Sequence, residues 1–550
     1  MLPPPAFRGI FRTDARARAA YSEGAGIYRI VPRAVALPSD VADLKLLISW
    51  ASEQRVPLVA RGAGSAMGGG NIGDGVVVDL AEFSHLLHID PSTRTATTGA
   101  AVTLAGLNAA AATYGLRLPP DPSSGAWATL GGMVSTNAAG ARSVRFGSVR
   151  RWVQGLTLIT ADAQEVVLRR GVSQPDGSAR ALDRFGKDVA PRLRAAAPLV
   201  SSRFPRVRKN SSGYALDAYL ASGDVLDLIV GAEGTLGIVT EIKWRLDPLP
   251  ECRAGMRVQL PSLDHLHTVV EAVNRHEPSA VELLDRSFLD LVGPSHRVAT
   301  GVGPDIEALL LVEFEREQLD ALRQALALAE TAVMPWAVSV DVAYSGDADR
   351  LWAIRHAASP ILAGLPEDRR SLQVIEDACV PIERMGEYIG AVRRMAAQLE
   401  LPVVLFGHAG DGHIHVNLLP ELARSGWQDR VAALLEDVTQ VVKRLGGTPS
   451  GEHGDGRLRA QSLNQIYGTE ILELFREVKQ AFDPSGIFNP GVILPSGEPA
   501  ISRLKVGPDA AAIPDDIQRR LREIELTGGY ARSRLELAGE EEVEGQGSRV

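Results

Sequence analysis

Apolar residues first recur with a helical period just after Pro38. Five of them are spaced as on one face of a helix: Val41, Leu44, Leu47, Ile48 and Ala51. Ser39 lies where an N-cap residue is expected. Two β-branched runs follow, at residues 56–60 and 76–80, and a glycine-rich segment from Arg61 to Gly70 lies between them. The pattern therefore predicts a helix, a strand, a glycine loop and a second strand.

The glycine loop argues against one familiar cofactor site. A Rossmann dinucleotide fingerprint needs a strand, GxGxxG and then a helix, whereas Gly62, Gly64 and Gly68 follow GxGxxxG and precede a strand. An NAD site is therefore not expected. Glycine still lets successive backbone N–H groups approach a phosphate, so a phosphate cradle remains one interpretation and a plain hairpin turn the other.

Strand patterns continue to about residue 248. Residues 156–159 and 166–168 flank a predicted hairpin turn, and residues 227–240 are predicted as strand, glycine turn and strand. The uncharged segment 100–116 is too interrupted by Asn, Thr and Gly for a membrane span and is predicted as a buried helix. Segments 118–124 and 129–140 are rich in proline or small residues and are expected to wall a flat ligand. This half is predicted to be α+β with mixed sheets.

The pattern of predicted elements changes near Pro248 to Pro250, where we place a domain boundary. Longer helices are predicted around 264–275 and 318–332, and strands around 309–313 and 338–342. Two further strands, 403–406 and 413–418, flank a glycine-containing turn. After about residue 499 the chain becomes polar and ends in an acidic run, which predicts a disordered tail over 499–550.

Composition excludes some classes of function. Of the 550 residues 45% are hydrophobic and 23% charged, as expected for globular domains with packed cores, and the formal net charge is −9. Because binding to a nucleic-acid backbone needs a basic surface, no nucleic-acid partner is expected. Cys252 and Cys379 are the only cysteines, too few for a disulfide framework or an iron–sulfur cluster within the chain. With no secretory signal and no transmembrane segment recognised, we expect a cytoplasmic protein.

Two glycine-bounded segments concentrate the chemistry of an otherwise histidine-poor chain. The first runs from Phe406 to Asn417 (FGHAGDGHIHVN) and the second from Gly451 to Gly456 (GEHGDG). Four side chains offer ligands that a divalent transition metal accepts: His408, His413, His415 and Glu452. His413 and His415 share a strand face by the two-residue period, while His408 lies across the turn, so spacing alone leaves the ligand histidines open. The alternative is that these are hydrogen-bonded loop histidines.

Several motifs in this order resemble the FAD domain of the vanillyl-alcohol oxidase and para-cresol methylhydroxylase (PCMH) superfamily. They are Arg61 to Ser65 (RGAGS), Pro120 to Ser124 (PDPSS), Thr129 to Gly132 (TLGG) with Asn137, Gly231 to Gly237 (GAEGTLG) and Phe488 to Pro490 (FNP). Within that superfamily the two histidine segments are similar to those of FAD-linked D-2-hydroxyacid dehydrogenases, which include D-lactate, D-2-hydroxyglutarate and glycolate enzymes. The resemblance covers roughly residues 30–495.

The resemblance implies an α+β fold of two domains. After an N-terminal segment, 1–35, residues 36–248 would form a PCMH-type FAD-binding domain of two α+β subdomains. Residues 249–498 would form a C-terminal α+β substrate and cap domain with an antiparallel sheet, whose end returns to the flavin. The polar tail, 499–550, would follow.

The resemblance also implies the residues that contact FAD. They are Arg61, Gly62, Ala63, Gly64, Ser65, Ala66, Gly68, Gly69, Pro120, Asp121, Ser124, Thr129, Gly131, Gly132, Asn137, Gly140, Glu233, Gly234, Gly237, Ile238, Val239 and Asn489. Some members of the superfamily tether the flavin through a histidine in the glycine loop, where this chain has Ser65. Non-covalent FAD is therefore expected.

For the metal, the resemblance implies His408, His415 and Glu452 as ligands and His413 as a neighbour that orients them. Zinc is expected, with manganese or iron as alternatives. His453 would be the general base for the substrate hydroxyl, or else a structural neighbour of the ligands. Hydride would pass from the substrate C2 to the flavin N5.

Three residues would bind the substrate, a D-2-hydroxyacid oxidised to its 2-oxoacid. Arg355 would anchor the carboxylate bidentately, unless it forms only a surface ion pair, while Ser359 and Asn417 would add polar contacts. Ile375 stands where D-2-hydroxyglutarate enzymes have a lysine, which favours a short monocarboxylate such as D-lactate or glycolate over D-2-hydroxyglutarate.

The expected electron acceptor is a separate molecule, because two cysteines cannot hold a cluster. It would be an iron–sulfur subunit, a quinone, a cytochrome or an electron-transfer flavoprotein, with contact at the inner face of the membrane through such a partner left open. Three alternatives remain from sequence: an oxidase that uses oxygen, a non-haem iron oxygenase with a His-His-carboxylate triad, and a non-catalytic flavin-binding subunit.

Overall fold

The computed structural model describes residues 1–172, 177–299, 301–530 and 533–539. The strands, numbered along the chain, are β1 (Ile10–Arg12), β2 (Ala34–Leu37), β3 (Leu58–Arg61), β4 (Val76–Asp79), β5 (Leu87–Asp90), β6 (Thr95–Gly99), β7 (Leu116–Arg117), β8 (Val153–Ile159), β9 (Glu165–Arg169), β10 (Ile238–Arg245), β11 (Asp247–Pro248), β12 (Cys252–Leu260), β13 (Ala280–Asp285), β14 (Ala308–Arg316), β15 (Ser339–Tyr344), β16 (Ala378–Cys379), β17 (Val403–His408) and β18 (His413–Leu418).

The α-helices are α1 (Ala15–Ala20), α2 (Val41–Gln54), α3 (Leu104–Ala112), α4 (Leu130–Thr136), α5 (Ser143–Phe146), α6 (Arg180–Arg184), α7 (Ala190–Ala195), α8 (Ala197–Arg203), α9 (Leu216–Ser222), α10 (Leu226–Ile229), α11 (Leu266–Asn274), α12 (Arg286–Ala299), α13 (Leu319–Val333), α14 (Gly346–Ala363), α15 (Met385–Gln398), α16 (Trp427–Arg444), α17 (Gly456–Ala460), α18 (Leu463–Tyr467), α19 (Thr469–Phe482), α20 (Asp515–Thr527) and α21 (Arg534–Ala538). Single 3₁₀ turns lie at Ala81–Ser84, Val149–Arg151, Met334–Trp336, Glu367–Arg369, Ile382–Arg384 and Ala409–Asp411, and a π-helical turn at Phe185–Val189.

The first sheet has the order β1-β2-β4-β3 and carries the glycine loop. Strands β3 and β4 are parallel, with Leu58 beside Val76 and Arg61 beside Asp79. The loop between them is therefore a crossover, and the hairpin interpretation is wrong because a hairpin joins antiparallel strands. Helix α2 covers this sheet as its apolar period predicts, but its N-cap is Asp40, whose side chain accepts from the Asp43 N–H, and not Ser39.

The second sheet, β5-β6-β10-β8-β9, is antiparallel and forms the other part of the FAD-binding half. The predicted hairpin is present as β8 and β9, and the uncharged segment contains α3, whose Leu104, Leu107 and Ala111 are buried. Residues 226–229 form α10 instead of the predicted strand. Short apolar runs do not distinguish helix from strand by themselves, and here the Arg150 guanidinium donates to the Val230 carbonyl, 2.7 Å away, at the end of the helix.

The cap is one antiparallel sheet of order β15-β12-β14-β13-β17-β18-β16, with helices on both faces. Along β14 successive leucines alternate between two cores. Leu310 lies in the core that includes α11 and α13, whereas Leu309 and Leu311 pack with Phe288 and Ile354 on the other face. The predicted antiparallel cap sheet is confirmed, and it places the first histidine segment on adjacent inner strands, β17 and β18.

The C-terminal segment differs from its prediction. Helices α20 and α21 pack on α1 and the first sheet through five buried apolar residues: Ile517, Leu521, Ile524, Leu537 and Ala538. Disorder is therefore wrong for 515–527 and 534–538, because a sparse apolar stripe in a polar sequence suffices when an apolar face is there to receive it. Residues 540–550 lie outside the described part. None of the described helices is both long enough and apolar enough to cross a membrane.

Candidate cofactor and metal site

A cavity of about 740 Å³ lies between the FAD-binding half and the cap. Its walls come from the glycine loop, from segments 121–142 and 233–239, and from the two histidine segments of the cap. Sixteen of the residues expected to contact FAD line it: Arg61, Gly62, Ala63, Gly64, Ser65, Ala66, Asp121, Ser124, Thr129, Gly131, Gly132, Glu233, Gly234, Gly237, Ile238 and Val239. One cavity thus joins the expected flavin site to the expected metal site.

Six expected FAD contacts do not line this cavity: Gly68, Gly69, Pro120, Asn137, Gly140 and Asn489. Two of them instead hold lining segments in place. The Asn489 side-chain amide donates to the backbone oxygens of Gly70 and Glu233, at 2.6 and 2.9 Å. The Gly140 N–H donates to Glu452 Oε2 at 2.6 Å. Asn489 and Gly140 therefore connect walls of the cavity in this structure.

The glycine loop has the features of a phosphate cradle. The backbone N–H groups of residues 63–66 make no hydrogen bond within the described part of the chain, although these residues line the cavity. A Cβ on Gly62 would lie 2.1 Å from Thr129 Oγ1, and Gly64 has φ +81°. The buried Arg61 guanidinium donates to the Glu23 carbonyl at 2.8 Å and so fixes the start of the loop. The loop fits a cofactor pyrophosphate.

The hairpin of β17 and β18 assembles the histidines. His408 pairs directly with His413 across the two strands, and His415 pairs with Phe406. Because cross-strand partners share a sheet face, all three imidazoles lie together, which the two-residue period of β18 alone does not show. The turn between the strands depends on Gly412, whose φ is +76° and whose Cβ would lie 2.1 Å from the Val380 carbonyl.

Three nitrogen and oxygen atoms converge at one point of the cavity wall. His408 Nε2 lies 3.2 Å from His415 Nε2 and 3.0 Å from Glu452 Oε1. His415 Nε2 lies 3.6 Å from the same oxygen. Two imidazole nitrogens and one carboxylate oxygen at such spacing suit a divalent transition metal. The residues present therefore fit the metal that the resemblance implies.

The outer nitrogens of both imidazoles are already bound. His415 Nδ1 donates to the Glu376 carbonyl at 2.7 Å, and His408 Nδ1 contacts the Glu282 carboxylate. A carbonyl can only accept, so His415 carries its proton on Nδ1 and presents a lone pair on Nε2. Such partners fix the orientation of metal-binding histidines.

His413 is excluded from this point by its own hydrogen bonds. Its Nε2 lies 2.8 Å from Asp377 Oδ1, and its Nδ1 lies 3.3 Å from the ammonium of Lys209. Asp377 also accepts from the backbone N–H of His453 at 2.9 Å and from the Ser450 hydroxyl at 2.6 Å. His413 therefore belongs to the framework that ties the two histidine segments together.

The surroundings of Glu452 and His415 shift the pKa values of both side chains. Burial alone would raise the pKa of Glu452, but Lys209 and His408 outweigh it and hold the pKa well below its ordinary value. Burial, followed by the neighbouring imidazoles, lowers the pKa of His415 well below its ordinary value. The cluster thus presents an ionised carboxylate and a neutral imidazole near neutral pH, which are the protonation states of metal ligands.

His408 differs from His415 because it touches two carboxylates. Burial opposes its charged form, yet Glu282 and Glu452 outweigh the burial and raise the pKa of His408 to about 9. Without a metal, His408 is therefore protonated and donates between the two carboxylates. To act as a metal ligand, His408 would have to give up that proton.

His453 lines the cavity next to the cluster. Its ring stacks on that of His415, with centroids 5.4 Å apart and planes at 15°. Its Nδ1 lies 2.7 Å from Glu376 Oε2. Burial opposes the charged form, but Asp377 and Glu376 raise the pKa of His453 to about 10. The side chain is 28% exposed, so its Nε2 edge is open to a ligand in the cavity.

Arg355 extends from α14 into the same cavity. Its Nε donates to Glu282 Oε2 at 3.1 Å, and its guanidinium lies over the Phe406 ring, 4.5 Å from the ring centroid. The side chain is only 13% exposed, so this ion pair is not superficial. Neither Nη group has a hydrogen-bond partner among the described residues, so the end of the guanidinium is available to an anion.

The remaining predicted substrate contacts have different outcomes. Asn417 lines the cavity, and its Oδ1 accepts from the Ser371 hydroxyl at 3.2 Å and from the Gln373 amide at 3.4 Å. The side chain of Ser359 lies outside the described part of the structure. Ile375 is buried in the core, 5% exposed, and is not among the residues that line the cavity.

The C-terminal segment supplies a further wall that the prediction of disorder missed. Arg522, Glu525 and Tyr530 line the cavity. Glu525 pairs with Arg370 of the cap, and the Arg522 guanidinium donates to the Ala363 carbonyl at 2.8 Å. The segment therefore closes the cavity from the side and connects both halves.

Several residues that organise the site were not recognised in the sequence: Lys209, Glu282, Glu376 and Asp377. One signal was available, since Glu282 interrupts the apolar strand β13, where a buried carboxylate needs a partner. Lys209 had no such signal, because its partners Gly140, His413 and Glu452 are distant in sequence and meet only in the folded chain.

Comparisons with known proteins agree with this architecture. Residues 32–169 match the family model described as FAD binding domain, and residues 249–493 match the model described as FAD linked oxidases, C-terminal domain. Solved structures of alkyldihydroxyacetonephosphate synthase superpose with a TM-score of 0.59 at 14% identity, over 87% of this chain and 82% of theirs. That similarity concerns the fold.

Relatives of known activity are also similar over most of the chain. D-lactate dehydrogenase of Archaeoglobus fulgidus is 30% identical over 84% of this chain and 93% of its own length. Glycolate oxidase subunit GlcD of Bacillus subtilis is 29% identical over 84% and 89%. D-2-hydroxyglutarate dehydrogenase of Escherichia coli is 27% identical over 89% of this chain but only 51% of its own length, so the chain spans about half of that protein.

Proposed function

Because the chain belongs to the family of FAD-linked oxidases that includes D-lactate dehydrogenase and glycolate oxidase subunit GlcD, we propose that it oxidises a D-2-hydroxyacid to the 2-oxoacid with FAD and a divalent metal. One observation carries the proposal. His408, His415 and Glu452 converge on the wall of the same cavity that the glycine loop opens into. A binding module for flavin alone has no need of that cluster.

FAD would be held by backbone and shape and not by a covalent bond. The free N–H groups of residues 63–66 would bind its pyrophosphate, and segments 121–142 and 233–239 would enclose it. Ser65 has a hydroxyl where a tethering residue would need a nucleophilic ring nitrogen. Bound there, FAD would supply the two-electron acceptor for oxidation at the substrate C2.

His408, His415 and Glu452 would hold the metal, with zinc the expected ion and manganese or iron the alternatives. When bound, it would supply a Lewis acid that lowers the pKa of the substrate hydroxyl. The chain contributes the orientation of the ligands through Glu282 and the Glu376 carbonyl. Three ligands leave positions for a bidentate substrate.

His453 would take the hydroxyl proton and Arg355 would hold the carboxylate. The Nδ1–H of His453 donates to Glu376, so its Nε2 can accept a proton once the imidazole is neutral. Positive charge brought next to His453 favours that neutral form. The free Nη edge of Arg355 matches a carboxylate in a bidentate pair, and Asn417 would add a polar contact.

The substrate would be a small 2-hydroxyacid: D-lactate, glycolate or D-2-hydroxyglutarate. The departure from the family lysine at Ile375 favours the monocarboxylates, and because Ile375 does not line the cavity this preference rests on the resemblance alone. Electrons would leave to a separate acceptor, such as an iron–sulfur subunit, quinone, cytochrome or electron-transfer flavoprotein, because the two cysteines cannot hold a cluster. We expect a cytoplasmic enzyme that approaches a membrane, if at all, through that partner.

An anaerobic flavin-bleaching screen tests the proposal. Purified protein with FAD and added Zn²⁺ or Mn²⁺ is mixed with D- and L-lactate, glycolate and D-2-hydroxyglutarate, and the flavin absorbance is followed. Loss of absorbance with a D-2-hydroxyacid, abolished by a chelator and restored by metal, supports it. An oxidised flavin that persists with every substrate overturns it in favour of a non-catalytic flavin protein. Rapid turnover with oxygen would identify an oxidase.

A further inference from the structure

Lys209 is a buried cation at the contact between the two halves of the molecule. It lies in the loop between α8 and α9 of the FAD-binding half, and its side chain is 3% exposed. Its ammonium donates to Glu452 Oε2 at 2.9 Å and to the Gly140 carbonyl at 3.1 Å, and it lies 3.3 Å from His413 Nδ1. An ammonium has three donors, and all three have an acceptor here.

Two of these acceptors are potential metal ligands. One ligand atom from each of His408, His413, His415 and Glu452 lies within 4.8 Å of all the others. His413 Nδ1 lies 4.0 Å from Glu452 Oε1, so a third imidazole, which would be a fourth ligand, is within reach of the same point. The ammonium of Lys209 contacts His413 Nδ1 and donates to Glu452 Oε2. The Gly140 N–H donates to the same carboxylate oxygen.

The number of protein ligands decides what a metal centre can do. Structural zinc sites are closed by four protein ligands, whereas catalytic sites have three and leave positions for water or substrate. A 2-hydroxyacid that chelates through its hydroxyl and one carboxylate oxygen needs two such positions. With His413 or the second oxygen of Glu452 as a further ligand, a four- or five-coordinate zinc centre would lack at least one of those positions.

We propose that Lys209 is a positioning residue that keeps the metal centre open, by occupying His413 Nδ1 and Glu452 Oε2 so that only three protein ligands remain. The inference rests on the proposed metal-dependent function. An ordinary supporting residue strengthens metal binding, whereas Lys209 would weaken it. Removal of a supporting partner weakens metal binding by about 10- to 100-fold. Removal of Lys209 releases two ligands and a neighbouring positive charge, and so strengthens metal binding.

Lys209→Met is the central variant, because methionine has a similar length but neither charge nor donors. We expect the FAD-loaded variant to bind Co²⁺ about 10-fold more tightly than the parent, measured by equilibrium dialysis. We also expect its long-wavelength Co²⁺ bands, beyond the flavin absorbance, to weaken as the coordination number rises. The KM for the hydroxyacid should rise by a similar factor. Weaker Co²⁺ binding with unchanged bands overturns the proposal.

Lys209→Arg and the double variant Lys209→Met with His413→Leu separate the mechanism from a loss of packing. The arginine keeps a buried positive charge and donors, so Co²⁺ affinity should stay within about threefold of the parent, well below a 10-fold second-shell effect. In the double variant His413 can no longer become a ligand, so much of the gain in affinity should disappear. A gain that persists in full contradicts the role of His413.

Two further variants distinguish the proposed effect on metal binding from a folding defect. Lys479→Met removes a half-buried lysine, which pairs with Asp483 at 2.6 Å, and should leave Co²⁺ affinity unchanged. His413→Leu alone measures what the framework loses with the contact to Asp377, and the double variant is compared with it. If Lys209→Met does not fold, Lys209→Leu takes its place, and Co²⁺ binding weaker than in the parent overturns the proposal. These binding measurements need no turnover. If the parent binds Co²⁺ but oxidises no hydroxyacid, the proposed function fails and the inference on Lys209 is still decided.

Discussion

His408 and His415 direct their Nε2 atoms at each other across 3.2 Å, although the two residues lie on different strands of one hairpin. The Nδ1 atom of each ring is hydrogen-bonded, that of His408 to the Glu282 carboxylate and that of His415 to the Glu376 carbonyl. Glu452 arrives from the second histidine segment to complete the group. This arrangement, at the wall of the cavity expected to hold FAD, leads to the following predictions.

Replacement of His415 by alanine should abolish turnover without loss of flavin. Two ligands do not retain the metal in the geometry of three, so kcat should fall by about 100-fold or more and bound metal should fall with it. The free N–H groups of the glycine loop are on a different element, so the ratio of flavin to protein absorbance should not change. Apo-flavoprotein in the purified variant would contradict this separation of the two sites.

Arg355→Lys should act mainly on substrate binding. A point charge replaces a planar fork whose free Nη edge faces the cavity, so we expect KM to rise by about 10- to 100-fold with a smaller change in kcat. Steady-state kinetics with the best substrate of the screen provide the measurement. Arg424→Ala, which removes an exposed ion pair with Glu400 on the cap, is the control. Equal kinetics for the parent and Arg355→Lys would remove Arg355 from the substrate site.

Gly64→Ala should reduce FAD content. Gly64 has φ +81°, and a Cβ there would lie 2.4 Å from the Arg61 guanidinium that supports the loop. The matched control is Gly115→Ala, which has φ +69° but no atom within 4 Å of its Cβ. Both variants carry a similar backbone cost of about 1 kcal/mol, so only Gly64→Ala should lose flavin on dialysis. Equal retention of FAD would mean that the loop tolerates displacement.

The docking of α20 should depend on pH through Glu525. Although burial alone would raise the pKa of Glu525, Lys505 and Arg370 outweigh it and lower the pKa to about 2. In the unfolded chain the carboxyl titrates near 4.5. The ion pairs therefore stabilise the folded form above that pH, and their contribution declines as the pH falls toward 2. The difference in unfolding free energy between the parent and Glu525→Gln should accordingly be largest near pH 7 and shrink toward pH 3.

Leu521→Ala should destabilise the protein although it lies in the polar C-terminal segment. Leu521 is 5% exposed and packs with Ala17 and Val77, so truncation should lower the free energy of unfolding by about 2–4 kcal/mol. Leu526, on the same helix, is 45% exposed, and its change to alanine should cost no more than about 0.5 kcal/mol. Similar denaturation midpoints for the two variants would indicate that the segment does not dock.

Much of the fold could be predicted from local pattern. The apolar period of α2, the β8–β9 hairpin and the cap strands around His408 and His415 each follow from residues near one another in sequence. The wrong predictions concern segments whose structure depends on contacts distant in sequence. Residues 226–229 have a weak local pattern, and their structure depends on the Arg150 guanidinium from elsewhere in the chain. Helix α20 carries a helical apolar period at Ile517, Leu521 and Ile524, but the polar composition of the segment outweighed it in the prediction, and the receiving face of α1 is distant in sequence.

The sequence by itself concentrated His408, His413, His415 and Glu452 in two short segments and placed His413 and His415 on one strand face, because turn residues and strand period are local properties. The family resemblance implied that the two segments meet beside the flavin. Only the tertiary structure decided which of these atoms are free. Lys209 comes from the other half of the chain to occupy His413 Nδ1 and Glu452 Oε2, and Glu282 and Glu376 fix the two remaining imidazoles. Hydrogen bonds between residues distant in sequence decide this, and no spacing along the chain encodes them.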